Sequence, residues 1–254
     1  LIRKGSQSEK EKPLEGLHII VDAGNGAGGF FAKSVLEELG AKTEGSQFLD
    51  PDGTFPNHIP NPDNKEAMES IKKQVLAVNA DYGVIFDTDV DRAAVVTGSG
   101  ELLNRNNLIA VLSVIVISEH PGTTIVTNSP TTEHLKKFIM KLGGHQYRYI
   151  SGYRNVINKA IELNNQGTDC QLAIETSGHA AFKENYFLDD GAYVVAKILM
   201  LLPRLVAKGE TLDSLIKKLV QPKEVVEVRF KIGTKDFKAT GLEVIKDFPN
   251  WIPK

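Results

Sequence analysis

Three carboxylates at alternate positions, Asp87, Asp89 and Asp91, sit between two apolar runs, Gly83-Val84-Ile85-Phe86 and Ala93-Ala94-Val95-Val96. Both runs are rich in β-branched residues, so the stretch predicts strand, tight loop and strand. The loop is the constraint. Carboxylates this close in sequence repel one another unless a cation neutralises them, and a donor set made only of oxygen suits a hard divalent ion such as Mg²⁺. Arg92 follows at once, and a planar guanidinium beside a metal site is a phosphate-recognition arrangement. The plain alternative is a solvated acidic turn.

Around this centre the chain alternates short apolar runs with helical periods, the pattern of an α/β fold. A strand over 17–22 leads into a glycine turn over 23–29, then an amphipathic helix over 30–39 stopped by Gly40. Gly24, Gly26 and Gly29 fit the G-x-G-x-x-G spacing of a dinucleotide site, with Glu44 near the place of a ribose-binding acid, yet any tight strand-to-helix turn needs similar glycines. Four prolines make 50–62 an irregular loop, in which His58 reads as a histidine satisfied by backbone groups rather than as a ligand. A helical period over 65–77 then delivers the chain to the acidic loop.

A second unit repeats the plan: helix 103–118, strand 123–127, helix 133–142, strand 146–150, helix 155–164, and an apolar strand entering the polar loop Glu175-Thr176-Ser177-Gly178-His179 before the apolar exit Ala180-Ala181-Phe182. A helix over 190–205 closes it. The expected fold is α/β, two tandem three-layer α/β domains of similar mixed-sheet fold, followed by the first strand of a truncated further domain. The expected limits are 1–12 for a linker or severed end, 13–101 for the domain with the acidic loop, 102–220 for the second domain, and 221–254 for the start of another. Pro222 marks the last break, and 224–232 alternates like a strand.

At 254 residues, 41% hydrophobic and 24% charged, the chain is long enough for two ordinary soluble cores. A net charge of −2 offers no footprint for nucleic acid or an anionic membrane surface, so neither is expected as a partner. The longest apolar run, 108–117, is too short to span a bilayer. The lone cysteine, Cys170, reads as a small buried hydrophobe and fits a reducing compartment such as the cytoplasm.

In their order and spacing, Val21-Asp22-Ala23-Gly24-Asn25-Gly26, Asp52-Gly53-Thr54-Phe55-Pro56-Asn57-His58, Asp87-Thr88-Asp89-Val90-Asp91-Arg92, Glu175-Thr176-Ser177-Gly178-His179, Phe182-Lys183-Glu184 and Asp189-Asp190-Gly191 resemble the α-D-phosphohexomutases. The resemblance covers nearly all of 13–220 and matches the second and third of that family's four domains. It implies Asp87, Asp89 and Asp91 as Mg²⁺ ligands and Arg92 as the catalytic arginine at a phosphoserine. Glu175, Ser177, Gly178, His179 and Lys183 are implied as the sugar-binding set for a phosphorylated hexose. It also implies domains I and IV as partners, the first carrying the phosphoserine and the last a phosphate-binding loop. Thr88 and Val90 stand where that family usually has glycines, Ile174 where a glycine usually precedes the glutamate, and Tyr153 where some members have a histidine. Two alternatives stay open: a haloacid-dehalogenase-like phosphatase with Asp87 as nucleophile, Asp89 as acid and base and Asp189-Asp190 as its late acidic metal pair, and a mutase-like module without catalysis.

Overall fold

The computed structural model describes residues 1–226 and 231–251. Residues 1–221 pack as one unit, and 222–254 form another. The first unit holds two four-stranded mixed sheets. In the first, β1 (Ile19–Asp22), β2 (Tyr82–Phe86), β3 (Ala93–Thr97) and β4 (Leu102–Leu103) lie side by side in chain order. β1 and β2 are parallel, because the chain between them is long enough to include the crossover helix α2 (Lys65–Val78), whereas the acidic loop between β2 and β3 permits only an antiparallel return.

The second sheet has the order β6-β5-β7-β8. β5 (Thr124–Asn128), β6 (His145–Tyr149) and β7 (Cys170–Ile174) run parallel, with α4 (Glu133–Lys141) and α5 (Tyr153–Asn165) between them. β8 (Ala180–Phe182) then turns back antiparallel to β7. The same device thus occurs twice, a buried strand opening into a polar loop and returning beside itself, at 87–92 and at 175–179.

Alternation along the strands divides the core. Ile20, Ile85, Ala94 and Val96 face Ala67, Met68, Ile71 and Val75 of α2. The other face, with Val21, Val84, Phe86 and Val95, joins a large cluster that includes Leu108 and Leu112 of α3 (Arg105–Glu119), Val194 and Ile198 of α6 (Gly191–Lys208), and Ile125, Leu172 and Ile174 of the second sheet. The far face of that sheet packs Val126, Ala173 and Ala181 on Val156, Ala160 and Leu163 of α5. α3 and α6 are therefore a helical layer shared by both sheets, and α3 is apolar around most of its circumference, as a helix covered on both sides must be. The expected limit at 101/102 falls just before β4, the last strand of the first sheet, and the packing runs across it without a break.

Two local expectations need correction. Residues 1–12 are not a bare linker: α1 (Ile2–Gly5) packs on α6, with Ile2 buried, because its one large apolar side chain finds the shared helical layer. The helix expected over 30–39 is broken into a 3₁₀ turn (Ala27–Gly29), a π-helical stretch (Ala32–Leu36) and a further 3₁₀ turn (Glu37–Leu39), which together turn Phe31, Ala32, Leu36 and Leu39 inward. The strand expected over 224–232 includes residues 227–230, which lie outside the described residues. Cys170 is fully buried, and burial pushes its thiol up to about 11, so it is a core residue and not a nucleophile. Among the described residues, no helix is long and apolar enough to cross a membrane.

Candidate active site

Asp87 directly follows β2, with its side chain almost entirely buried. Arg92 folds back onto it: the Arg92 backbone N–H donates to Asp87 Oδ1 at 3.0 Å and Nε donates to Oδ2 at 2.8 Å. The outer guanidinium nitrogen Nη1 donates to Asn61 Oδ1 of the proline-rich loop at 3.2 Å. One oxygen from each of Asp87, Asp89 and Asp91 lies within 4.8 Å of the other two. Burial, together with the Asp91 carboxylate beside it, holds Asp87 above the ordinary carboxylate range, with Arg92 pulling the other way. Asp91 Oδ1 is buried and accepts no hydrogen bond among the described residues, since Arg92 Nε at 3.5 Å makes only an ion-pair contact. An orphaned carboxylate oxygen among three converging carboxylates, with no nitrogen or sulfur donor between them, fits a hard cation such as Mg²⁺.

The loop closes through Val90, whose φ of +71° is left-handed. A β-branched residue there costs roughly 1–2 kcal/mol, the conformation for which a glycine is the natural occupant.

The glycine turn supports this loop from beneath. Ala27 N–H donates to Thr88 O at 2.9 Å, and a Cβ on Gly26 would stand 2.7 Å from the same carbonyl. Asn25 N–H is spent on Phe48 O and Gly26 N–H on Ala23 O. The amides that a dinucleotide pyrophosphate would need are thus already used, and the glycines serve close packing against Thr88. His58 differs in detail from its expected role. Nδ1 does face a backbone carbonyl, Ile59 O at 3.1 Å, but Nε2 lies 3.0 Å from both oxygens of the buried Asp22. Both nitrogens face acceptors, an arrangement that favours the imidazolium, in keeping with a pKa raised above its ordinary value by the Asp22 hydrogen bond.

Across from the acidic loop, Glu175 begins the turn after β7. Its Oε1 accepts the Gly152 N–H at 2.7 Å, and its backbone N–H donates to His179 O at 2.9 Å. Asn128, buried at the end of β5, grips Thr176 twice: Oδ1 accepts the Thr176 N–H at 3.1 Å and Nδ2 donates to Oγ1 at 3.0 Å. Ser177 Oγ is buried with no hydrogen-bond partner among the described residues. His179 Nδ1 lies 2.7 Å from Asp189 Oδ2, and Tyr153 stacks on the ring with centroids 5.0 Å apart. Burial works against the imidazolium, but Asp189 and Asp91 outweigh it and hold the His179 pKa above its ordinary value.

The two loops meet. Arg92 and His179 form an antiparallel backbone bridge, and His179 Nδ1 is 3.6 Å from Asp91 Oδ2. Asp87, Asp89, Asp91 and Arg92 are therefore brought together with Glu175, Ser177, Gly178 and His179. Lys183 is not. Since β8 runs antiparallel to β7, Lys183 lies level with the start of β7, where Nζ pairs with Asp169 at 3.1 Å, the end opposite Glu175. Sequence reasoning left out Asn61, Asn128, Gly152 and Asp189. Asp189 stood within a quoted motif, whereas the other three act across long sequence separations that no local pattern marks. The phosphatase alternative also loses its late acidic pair, because Asp189 binds His179 and Asp190 caps α6 by accepting the Tyr193 N–H.

Two family models match the chain, described as phosphoglucomutase/phosphomannomutase alpha/beta/alpha domain II over residues 2–100 and domain III over residues 104–223. A phosphomannomutase/phosphoglucomutase of Pseudomonas syringae pv. tomato is 36% identical over 197 residues, covering 77% of this chain and 41% of the relative. A phosphoglucomutase of Neisseria gonorrhoeae is 32% identical over 207 residues, covering 81% and 44%. The crystal structure of a phosphoglucomutase/phosphomannomutase family protein from Burkholderia thailandensis superposes with a TM-score of 0.70 at 32% identity, over 81% of this chain and 43% of that one. The chain thus spans well under half the length of these relatives. With both domain models matched in order along it, the chain belongs to the α-D-phosphohexomutase family, the phosphoglucomutases and phosphomannomutases, and carries domains II and III of that family.

Proposed function

We propose that this chain supplies the metal-binding and sugar-binding domains of a phosphohexomutase, an intramolecular phosphotransferase that interconverts hexose 1-phosphate and 6-phosphate through a phosphoserine and a bisphosphosugar. The observation that supports this reading is the meeting of the acidic loop and the Glu175–His179 loop at the Arg92–His179 bridge. Asp87, Asp89 and Asp91 would hold Mg²⁺, which when bound supplies charge neutralisation for a phosphoryl group. Arg92 is held through Nε, and its Nη2, which makes no hydrogen bond among the described residues, is left for a phosphoryl oxygen. Glu175 spends Oε1 on Gly152 and offers Oε2 to a sugar hydroxyl. Ser177 Oγ is an unpaired donor and acceptor at the same turn. His179, gripped by Asp189 and Tyr153, presents its ring beside them. Lys183 has no part in this arrangement, because it is engaged by Asp169 elsewhere. The phosphoserine and the terminal phosphate-binding loop are assigned to domains I and IV. Positioning and charge neutralisation are the principal means of phosphoryl-transfer catalysis, and these residues supply both.

The test is Glu175→Gln in a protein that joins this chain to the serine-bearing and phosphate-binding domains. A charged hydrogen bond contributes roughly 1.5–3 kcal/mol, so kcat/KM falls about 10- to 100-fold. Glutamine still accepts from Gly152, so the unfolding midpoint holds. Full activity with a lowered midpoint would overturn the role.

A further inference from the structure

The acidic loop belongs to the first sheet, but its geometry is gripped from the second domain. Gly191, the first residue of α6, donates its N–H to the Val90 carbonyl at 2.9 Å. A Cβ at Gly191 would stand 2.7 Å from Arg92 C, 2.8 Å from Arg92 O and 2.9 Å from Val90 O, all of them backbone atoms that cannot rotate away. Val90 is the residue held left-handed at φ +71°, and it lies between Asp89 and Asp91. The first turn of α6 is fixed in turn, by the Asp190 side chain on Tyr193 N–H. A strained conformation persists only where its surroundings over-determine it, and the Gly191 N–H bonds the strained residue itself.

We propose that Gly191 is a positioning residue for the metal loop: its N–H, delivered by α6 of the second domain, holds Val90 in the left-handed conformation that turns Asp87, Asp89 and Asp91 toward one point. Mg²⁺ affinity is then a joint property of both domains. This rests on the acidic loop being the Mg²⁺ site. Because linkage is reciprocal, whatever Gly191 contributes to Mg²⁺ binding, Mg²⁺ must return as added stability of the Gly191–Val90 hydrogen bond.

The test reads amide hydrogen exchange at Gly191 in the unaltered chain, with and without saturating Mg²⁺, beside a calorimetric Mg²⁺ titration. The expected result is exchange at Gly191 at least threefold slower with Mg²⁺, and more so than at amides in α5. In Gly191→Ala, with unchanged far-ultraviolet circular dichroism, Mg²⁺ affinity should fall at least tenfold. Mg²⁺ binding that saturates while Gly191 exchange is unchanged would overturn the coupling and leave the metal site standing. No Mg²⁺ binding at all would instead overturn the metal site on which the coupling rests. If Gly191→Ala fails to fold, the exchange measurement on the unaltered chain decides by itself.

Discussion

Arg92 binds Asp87 through both its backbone N–H, at 3.0 Å from Oδ1, and its Nε, at 2.8 Å from Oδ2. One carboxylate is thereby fixed at the end of β2 before any ligand arrives. The Arg92 side chain is 23% exposed and that of Asp87 only 1%, so removing the guanidinium leaves a buried carboxylate with a single backbone donor from this residue. Arg92→Ala should lower stability by about 1–3 kcal/mol in urea titrations. Mg²⁺ should restore more stability to the variant than it adds to the parent, since it replaces the missing positive charge. Equal Mg²⁺ stabilisation of both chains would contradict this.

The Asp22–His58 pair predicts a pH dependence of stability. The folded chain raises His58 above its ordinary value of 6.5, so the protonated ring is favoured in the folded state. Its contribution is fully present below pH 6.5 and is lost as pH rises through the higher folded value. Stability should decline over that window by roughly 1–3 kcal/mol. His58→Gln, which can still donate to Asp22 but does not titrate, should remove the step. A parent whose stability rises across the window would contradict the assignment.

Val90→Gly tests the strain in the acidic loop. The side chain is only part-buried, and the left-handed backbone that it occupies costs roughly 1–2 kcal/mol. Relief of that strain should offset the lost packing and leave chemical stability within about 1 kcal/mol of the parent. A loss of about 3 kcal/mol or more would show that Val90 is not strained.

Lys183→Ala separates the two ends of β7. In the protein carrying all four domains, it should leave KM and kcat within about twofold. Its partner Asp169 lies at the opposite end of the strand from Glu175, and an exposed pair contributes at most about 1 kcal/mol. A tenfold rise in KM would return Lys183 to the sugar site.

Most of the fold was legible because most of its strands are buried and most of its helices, α3 excepted, are amphipathic. The run of aromatic and β-branched residues from Tyr82 to Phe86, broken only by Gly83, and the period through Ala67, Met68, Ile71 and Val75, carry their structure in local pattern. What could not be read is set by tertiary packing. The helical turns over 27–39 deform so that Phe31 packs edge-on to Phe86 at 5.1 Å, and nothing in the local sequence records that partner. α6 serves both sheets, a fact visible only once the sheets exist. Lys183 looked close to Glu175 because eight positions is a short span along the chain, whereas the antiparallel return of β8 carries it to the far end of β7. The acidic loop was the most legible part of the candidate site, since repulsion among Asp87, Asp89 and Asp91 is a property of the sequence before it folds.

The most direct measurement is a calorimetric Mg²⁺ titration of this chain beside Asp89→Asn. Asp89 is exposed, so its substitution removes one carboxylate of the proposed ligand set without disturbing the core. The parent should bind one Mg²⁺ with an affinity that falls at least tenfold in Asp89→Asn, at an unchanged unfolding midpoint. Mg²⁺ affinity identical in the two chains would contradict the assignment of the acidic loop as the metal site.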